Sequence, residues 1–456
     1  MLIKKKKALS LSLIILMTVI LGACSGGEAN NKTNNTSSNM NAANNQQAEE
    51  QPQEQEEVID MGGRTIRISA WWDMTPLGDS ASSKAELEKI ETVKEKYNVN
   101  IEFVNVPFEN YMDKFTTTTL AGEPFADIVM LENKSALPAI LKEQLLKIQE
   151  FTDADSNINN AQDVVKKNAP LAGDYYSFNR PGNTGTSLMY NREIFKQLGL
   201  PDPKELYSNG EWSWEKFEEL AKQATKDTNN DGKNDYWGFS GWGLDIVRHF
   251  AASNAAKAVD EVAGKEMLSD PKMIEAMEFV NKLYNVDKVV KVKTGNSMEW
   301  TETETFKDGD VAMFIAAEWM VSDLQFDFGI VPIPKGPNGS DEYAYADSAG
   351  QGLFIPKGVK DPQLVYKIYE EMFTIPPLED FPGQVWLEGI YKHEEDINML
   401  LQHISNKGMP VLEDAYPDFP YYAVVEEIIS KNASVTSTVE KYKQQAQAAV
   451  DALGNQ

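Results

Sequence analysis

The chain of 456 residues has one cysteine, Cys24, and three histidines, His249, His393 and His403, far apart in sequence. A single thiol cannot close an internal disulfide. So little imidazole gives scant material for a histidine metal centre or a proton relay. Basic residues are also scarce: 43 Lys plus Arg stand against 70 Asp plus Glu, for a formal net charge of −27. A surface of that sign repels a phosphate backbone, so nucleic acid is not expected as a partner. What is present, 42% hydrophobic and 25% charged residues, is the balance of a globular protein with a packed core. At roughly 150 residues per domain the length suggests two or three domains.

The N-terminus places four lysines, Lys4 to Lys7, before about fourteen mostly apolar residues from Ala8 to Leu21. That run is too short for a comfortable membrane span of ~20 residues and reads as an export signal over residues 1–23. Its closing Leu21-Gly22-Ala23-Cys24 is similar to the lipobox of bacterial lipoproteins. The resemblance implies cleavage before Cys24 and lipidation of its thiol, and two acyl chains suffice for stable anchoring. Losing residues 1–23 removes four lysines and no acid, taking the formal charge from −27 to −31. From Ser25 to Glu57 the chain is almost wholly small or polar, with Met40 its one large apolar residue. Such a stretch cannot offset its ordering entropy, so residues 24–63 are expected to be a lipidated cysteine and a disordered tether.

Thr65 to Ala70 alternates apolar and polar residues and runs into Trp71-Trp72, the pattern of a strand followed by an aromatic-bearing loop. A helix is expected over 82–97, with Leu87, Ile90, Val93 and Tyr97 on one face; a strand over 100–106; a helix over 111–120; and a buried strand over 125–131. Strand, helix, strand, helix, strand is the start of a doubly wound α/β lobe, whose ligands bind beyond the carboxyl ends of strands. That rule singles out Trp71, Trp72, Asp73 and the segment Glu132-Asn133-Lys134. The pattern restarts with a strand over 185–190 and a helix over 192–198 that stops at Gly199 and Pro201. Ser213 can cap the next helix while Trp212 staples onto Phe217. Thr305 to Ile315 reads as a helix end, an Asp308-Gly309 turn and a strand; 326–333 and 350–355 read as further strands, and 436–453 as a closing amphipathic helix.

Several short motifs stand in a telling order. The lipobox, the tether and a first strand ending in tryptophan precede Gly122-Glu-Pro-Phe-Ala-Asp-Ile-Val129. Then come Leu188-Met-Tyr-Asn-Arg192, Trp212-Ser-Trp-Glu215, Phe306-Lys-Asp-Gly-Asp-Val-Ala-Met313 and Glu318-Trp319. This order resembles the extracellular solute-binding proteins of family 1, the maltose-binding-protein-like receptors of carbohydrate ABC importers, from about residue 64 to 456. The resemblance implies a periplasmic-binding-protein-like α/β fold of two lobes joined by two or three crossing segments around a ligand cleft. One lobe would take 64–173 plus 350–402, the other 174–349 plus 403–456. It further implies a monomeric receptor, with no covalent chemistry, that closes on a carbohydrate and presents it to permease subunits at the membrane.

A sugar shows hydroxyls at its rim and a weakly apolar C–H face, so its site stacks aromatic rings and aims carboxylates or amides. Nine tryptophans and 17 tyrosines supply the rings, with Trp237, Trp242, Trp300, Trp319 and Trp386 in candidate loops. Trp319 follows the 311–315 strand where the family places a ligand-stacking tryptophan. Trp72 with Asp73, and Glu132 with Asn133, lie beyond strand ends; Trp242, Asp245, Tyr176 and Trp386 are further candidates. Trp212 and Trp214 are assigned to packing.

Asp227, Asn229, Asp231 and Asp235 occupy positions 1, 3, 5 and 9 of a loop with Gly232 at 6, the arrangement that wraps Ca²⁺ in EF-hand-type loops. Lys233 would contribute its carbonyl at position 7. Gly238, not glutamate, stands at position 12, so a structural calcium would need a remote ligand; a polar turn without metal is the alternative. A glycan hydrolase built on Glu302, Glu304 and Glu318 is a rival reading, since its two carboxylates need only lie ~5–9.5 Å apart. A same-fold receptor for peptide, polyamine or metal is another; scarce His and Cys disfavour metal.

Overall fold

Alternation in Arg64–Ala70 drives Ile66 and Ile68 into a core while Arg67 points outward, and the strand pairs in parallel with Val99–Asn105 and with Ile128–Glu132. Parallel neighbours need long crossovers. Helix Ala81–Tyr97 supplies the first, capped by Ser80, whose Oγ accepts from the Ser83 N–H at 3.0 Å. Its inner face is Ile90, Val93 and Tyr97; Leu87, expected beside them, sits at the margin with 36% exposure. The computed structural model describes residues 59–150, 175–178, 184–348, 350–405 and 407–454, within the single unit 57–456. The export signal, Cys24 and nearly all of the tether lie outside the described residues. No helix among those residues is long and apolar enough to cross a membrane.

Two five-stranded sheets organise the fold. The first runs Val99–Asn105, Arg64–Ala70, Ile128–Glu132, Gln351–Phe354, Ser177–Phe178, the last two pairings being antiparallel. The second runs Phe328–Val331, Thr186–Asn191, Val311–Ala317, Trp237–Ser240, Val290–Lys291. Here Thr186–Asn191 is antiparallel to both neighbours and the remaining pairings are parallel. Both sheets are therefore mixed, a doubly wound parallel block with antiparallel additions.

Each sheet has its own core. Ile66, Ile68, Phe178, Leu353 and Tyr366 belong to one, and Leu188, Phe217, Phe239, Phe314 and Ile330 to the other. Helix Trp214–Ala224 anchors the second core, and its start forms as its sequence dictates: Ser213 Oγ accepts from the Lys216 N–H at 3.4 Å and Trp212 packs edge-on to Phe217. Trp212 Nε1 also donates to the Pro332 carbonyl at 2.7 Å, fixing the helix to the strand Phe328–Val331 region.

Among the described elements the chain passes between the two cores three times: from Ser177–Phe178 to Thr186–Asn191, from Tyr345–Asp347 to Gln351–Phe354, and from helix Pro362–Phe373 on the first core to helix Gln384–Ile390 on the second. These crossings redraw the expected lobe ranges. Ser177–Phe178 belongs to the first sheet by pairing with Gln351–Phe354, and Leu387, Ile390, Ile397 and Leu400 pack in the second core.

Gly238 shows how tightly sheet and helix meet: a Cβ there would lie 2.1 Å from the Ala221 carbonyl oxygen, inside the backbone of helix Trp214–Ala224. Overpacking a core typically costs ~1–3 kcal/mol. Gly238→Ala is expected to lower the denaturation midpoint by a corresponding amount in urea; an unchanged midpoint would contradict this close approach.

Candidate ligand-binding site

Strands Trp237–Ser240 and Val311–Ala317 run in parallel, Ser240 opposite Phe314, and the chain leaves both at their carboxyl ends. Trp242 stands two residues past the first and Trp319 two past the second. Trp300 opens the short helix Trp300–Asp308, which turns through Gly309 (φ 79°) into Val311–Ala317. These three indoles form a row. Trp242 Nε1 donates to the Met298 carbonyl at 2.9 Å, its ring meets Trp300 edge-on at 5.1 Å, and Trp300 lies parallel to Trp319 at 6.4 Å and 13°. Trp300 and Trp319 keep 49% and 55% of their surface exposed. Large adjoining apolar rings left open to water mark a surface that covers something. Of the row, Trp242 and Trp319 were expected site residues; Trp300 was one loop aromatic among several.

In the first lobe, Trp72 follows Arg64–Ala70 and leans edge-on against Trp71 at 5.2 Å, which Phe108 and Tyr111 hold from behind. The Tyr111 hydroxyl fixes that wall by donating to the Ser69 carbonyl at 2.7 Å and accepting from the Met130 N–H at 3.2 Å. Asp73 closes a turn by accepting from the Thr75 N–H at 2.9 Å. Glu132 pairs with Lys134 at 3.2 Å. Asn133 is buried, its backbone N–H donating to the Gly350 carbonyl at 2.8 Å, while its side-chain Nδ2 has no partner.

Three other expected residues sit differently. Tyr176 packs in the apolar core of the first lobe with Phe354 and Leu145, because it flanks the strand Ser177–Phe178. Asp245 is engaged by Arg248 at 3.3 Å, and its Oδ2 takes the Ser348 hydroxyl at 3.4 Å, so it ties a helix to a crossing segment. Trp386 is 42% exposed on helix Gln384–Ile390, and no aromatic ring among the described residues packs against it.

The second crossing is a polar junction. Tyr345–Asp347 pairs in parallel with Gly408–Pro410, and the Ala346 N–H donates to His249 Nδ1 at 3.1 Å. Burial holds His249 down at about 4, so it stays a neutral acceptor. Glu318, the residue before Trp319, is 1% exposed; one oxygen accepts from the Gly185 N–H at 3.1 Å on the first crossing, and Oε2 has no partner. Desolvation pushes its carboxyl up to about 7. Asp347 is likewise pushed up to about 6 by desolvation. Gly350 is glycine for a steric reason: a Cβ would lie 2.6 Å from both Asn133 Nδ2 and Asp347 Oδ2. Glu318 and Asp347 were not expected at a binding site together; only the fold reveals that they share the Tyr345 phenol, whose ionisation both oppose.

The Asp227 loop closes on itself. Asp227 accepts from the Asp231 and Gly232 N–H groups at 3.3 and 2.8 Å, Asp231 from Lys233 at 2.9 Å, and Asp235 from Thr228 N–H at 2.7 Å and Asn229 Nδ2 at 3.0 Å. Gly232 has φ 88°, as the sixth position requires. Among the described residues no three His, Cys, Asp or Glu side chains converge to hold a metal. Gly238, at the twelfth position, is a packing glycine rather than a ligand. Of the hydrolase candidates, Glu302 is wholly buried and saturated by the Lys293 and Thr294 N–H groups and two threonine hydroxyls at 2.7–2.9 Å, and Glu304 pairs with Lys307 at 2.6 Å.

A carboxyl raised from 4.5 to about 7 holds its proton in the folded state where an unfolded glutamate has lost it. Its contribution to stability is therefore complete below pH 4.5 and lost as pH rises through 7, by up to ~3 kcal/mol at 1.36 kcal/mol per unit. Glu318→Gln is expected to raise the melting temperature of the unliganded protein at pH 8 and to leave it nearly unchanged at pH 5. A variant less stable at pH 8 would contradict the raised carboxyl.

Residues 77–374 match the family of bacterial extracellular solute-binding proteins. No curated protein matches the chain. Solved structures share its fold at low identity. The maltose/maltodextrin-binding domain MalE from Bdellovibrio bacteriovorus, bound to maltotriose, is 17% identical with a TM-score of 0.57, over 86% of this chain and 100% of that one. The ABC substrate-binding protein Lmo0181 from Listeria monocytogenes, in complex with cycloalternan, is 16% identical with a TM-score of 0.58, over 86% and 98%. UgpB from Mycobacterium tuberculosis, in complex with glycerophosphocholine, is 18% identical with a TM-score of 0.60, over 86% and 99%. With well over half of its residues inside the family match, this chain belongs to the bacterial extracellular solute-binding proteins.

Proposed function

We propose that the protein is the lipid-anchored receptor of an ABC importer for a carbohydrate, an oligosaccharide in preference to a single sugar. The carrying observation is the row of Trp242, Trp300 and Trp319 at the carboxyl ends of neighbouring parallel strands, with Trp300 and Trp319 half exposed. Successive indoles offer stacking faces to successive sugar rings, and the polar groups around Asn133 and Glu318 meet hydroxyls. The saccharide complexes of the MalE and Lmo0181 relatives support the same ligand class. Trp72 and Asp73, on the other lobe, close over the ligand when the three crossings bend. The solute passes unaltered to the permease subunits: no catalytic step is assigned, and the saturated lone pairs of Glu302 speak against its use as a hydrolytic acid.

In this proposal Cys24 carries the lipid, the protein works as a monomer at the outer face of the cell membrane, and the polar tether lets it stand off from the surface. A structural calcium in the Asp227 loop is proposed as well, held by Asp227, Asn229, Asp231, the Lys233 carbonyl and Asp235. Support comes from the left-handed Gly232 and from the side-chain oxygens already folded around positions 1 to 9. Added calcium is expected to raise the melting temperature of chelator-treated protein; an identical temperature in both states would remove the ion from this proposal.

Binding is read most simply from intrinsic fluorescence across a saccharide panel. Trp319→Ala and Trp300→Ala are each expected to weaken the best saccharide by about ten-fold or more, ~1.4 kcal/mol, with little change in melting temperature because both rings are half exposed. Unchanged affinity in both variants, or no response to any saccharide, would overturn the reading.

A further inference from the structure

Most buried carboxylates among the described residues are compensated. Asp396, wholly buried, faces Arg192 at 3.0 Å and Lys204 at 2.7 Å. Glu413 faces Arg248 at 2.7 Å. Glu302, without a cation, receives four hydrogen bonds. Glu318, equally buried, receives one hydrogen bond, from the Gly185 N–H; no Lys or Arg among the described residues comes within ion-pair range of it, and its Oε2 has no hydrogen-bond partner. Asp347, on the adjoining crossing, has no cation among the described residues either, and its Oδ2 shares the Gly350 approach with the unpartnered Nδ2 of Asn133, a residue 93% buried. Burying carboxylates without counter-charge is costly unless something else supplies it. Hydroxyl groups satisfy lone pairs but leave the charge in place. An ammonium group does both, and the orphan amide donor of Asn133 calls for an oxygen acceptor nearby.

Resting on the carbohydrate reading, we propose that the junction of Glu318, Asp347 and Asn133 is a subsite for a hydroxylated amine, so that the solute carries an amino sugar. The ammonium lies against the Glu318 and Asp347 carboxylates and a neighbouring hydroxyl oxygen accepts from Asn133 Nδ2. The ring itself extends toward Trp319, the residue next to Glu318, where an indole face also attracts a cation.

Pairs of sugars that differ only by an amino group in place of one hydroxyl test this directly. Calorimetry on the full chain at pH 7 compares glucosamine with glucose, galactosamine with galactose, mannosamine with mannose, and the β-1,4-linked glucosamine dimer and trimer with cellobiose and cellotriose. At least one amino sugar is expected to bind ten-fold or more tightly than its neutral partner. Glu318→Gln is expected to shrink that ratio to about three-fold or less while the neutral partner loses far less affinity. Asp347→Asn serves as the second variant should the first fail to fold. Neutral sugars that bind as well as amino sugars, or a preference that survives both substitutions, would overturn the subsite and leave the carbohydrate reading standing. Absence of binding to either series, with a response to putrescine or a tripeptide instead, would remove the carbohydrate reading and this subsite with it.

Discussion

Everything in this fold turns on how the chain crosses between two separate cores. Each sheet buries its own apolar side chains, and besides the crossings the two lobes meet at a small separate apolar cluster, where Leu137 of helix Asn133–Leu141 packs with Leu412, Tyr416 and Val450. Bending at the crossings leaves both sheet cores closed, because the large apolar clusters that stabilise the lobes are separate from each other and from this small contact. The close approaches at the junction are specific. His249 stays neutral and accepts the Ala346 N–H, Arg248 gathers Asp245, Glu413 and Asp414, and Gly350 leaves room for Asn133 and Asp347.

Set against those satisfied groups, the indole row and the Glu318 carboxylate stand out as unfinished. Trp300 and Trp319 leave two adjoining, parallel indoles half open to water, and Glu318 bears a desolvation penalty that Asp396 and Glu413 offset with arginine or lysine. Structures carry such local costs where another molecule completes the contacts. Their adjacency, residues 318 and 319 in one turn after a single strand, places the two kinds of cost at one point.

Local rules carried much of the fold. Alternation marked Arg64–Ala70, Ser213 and Trp212 marked the start of Trp214–Ala224, and the Asp308-Gly309 turn marked the entry to Val311–Ala317. The rule that ligands gather beyond strand ends pointed to Trp72, Asp73, Glu132 and Asn133, and the family resemblance to Trp319. What escaped depends on partners distant in sequence. Tyr176 reads as a rim aromatic until the two-residue strand beside it finds Gln351–Phe354. The lobe ranges read differently until Leu387 and Leu400 are seen in the second core. Glu318 looks like one acid among 70, because the lack of a counter-charge is a property of space and has no sequence signature.

Bending of the crossings around a saccharide is most directly measured as a change in distance between the lobes. A donor and an acceptor dye on Leu120→Cys and Val262→Cys, both strongly exposed and on opposite lobes, report it by energy transfer. Saturating the protein with the saccharide that quenches its tryptophans is predicted to raise transfer efficiency, with the same midpoint as the quenching. An efficiency that stays constant through saturation would contradict closure and reduce the protein to a rigid binding surface.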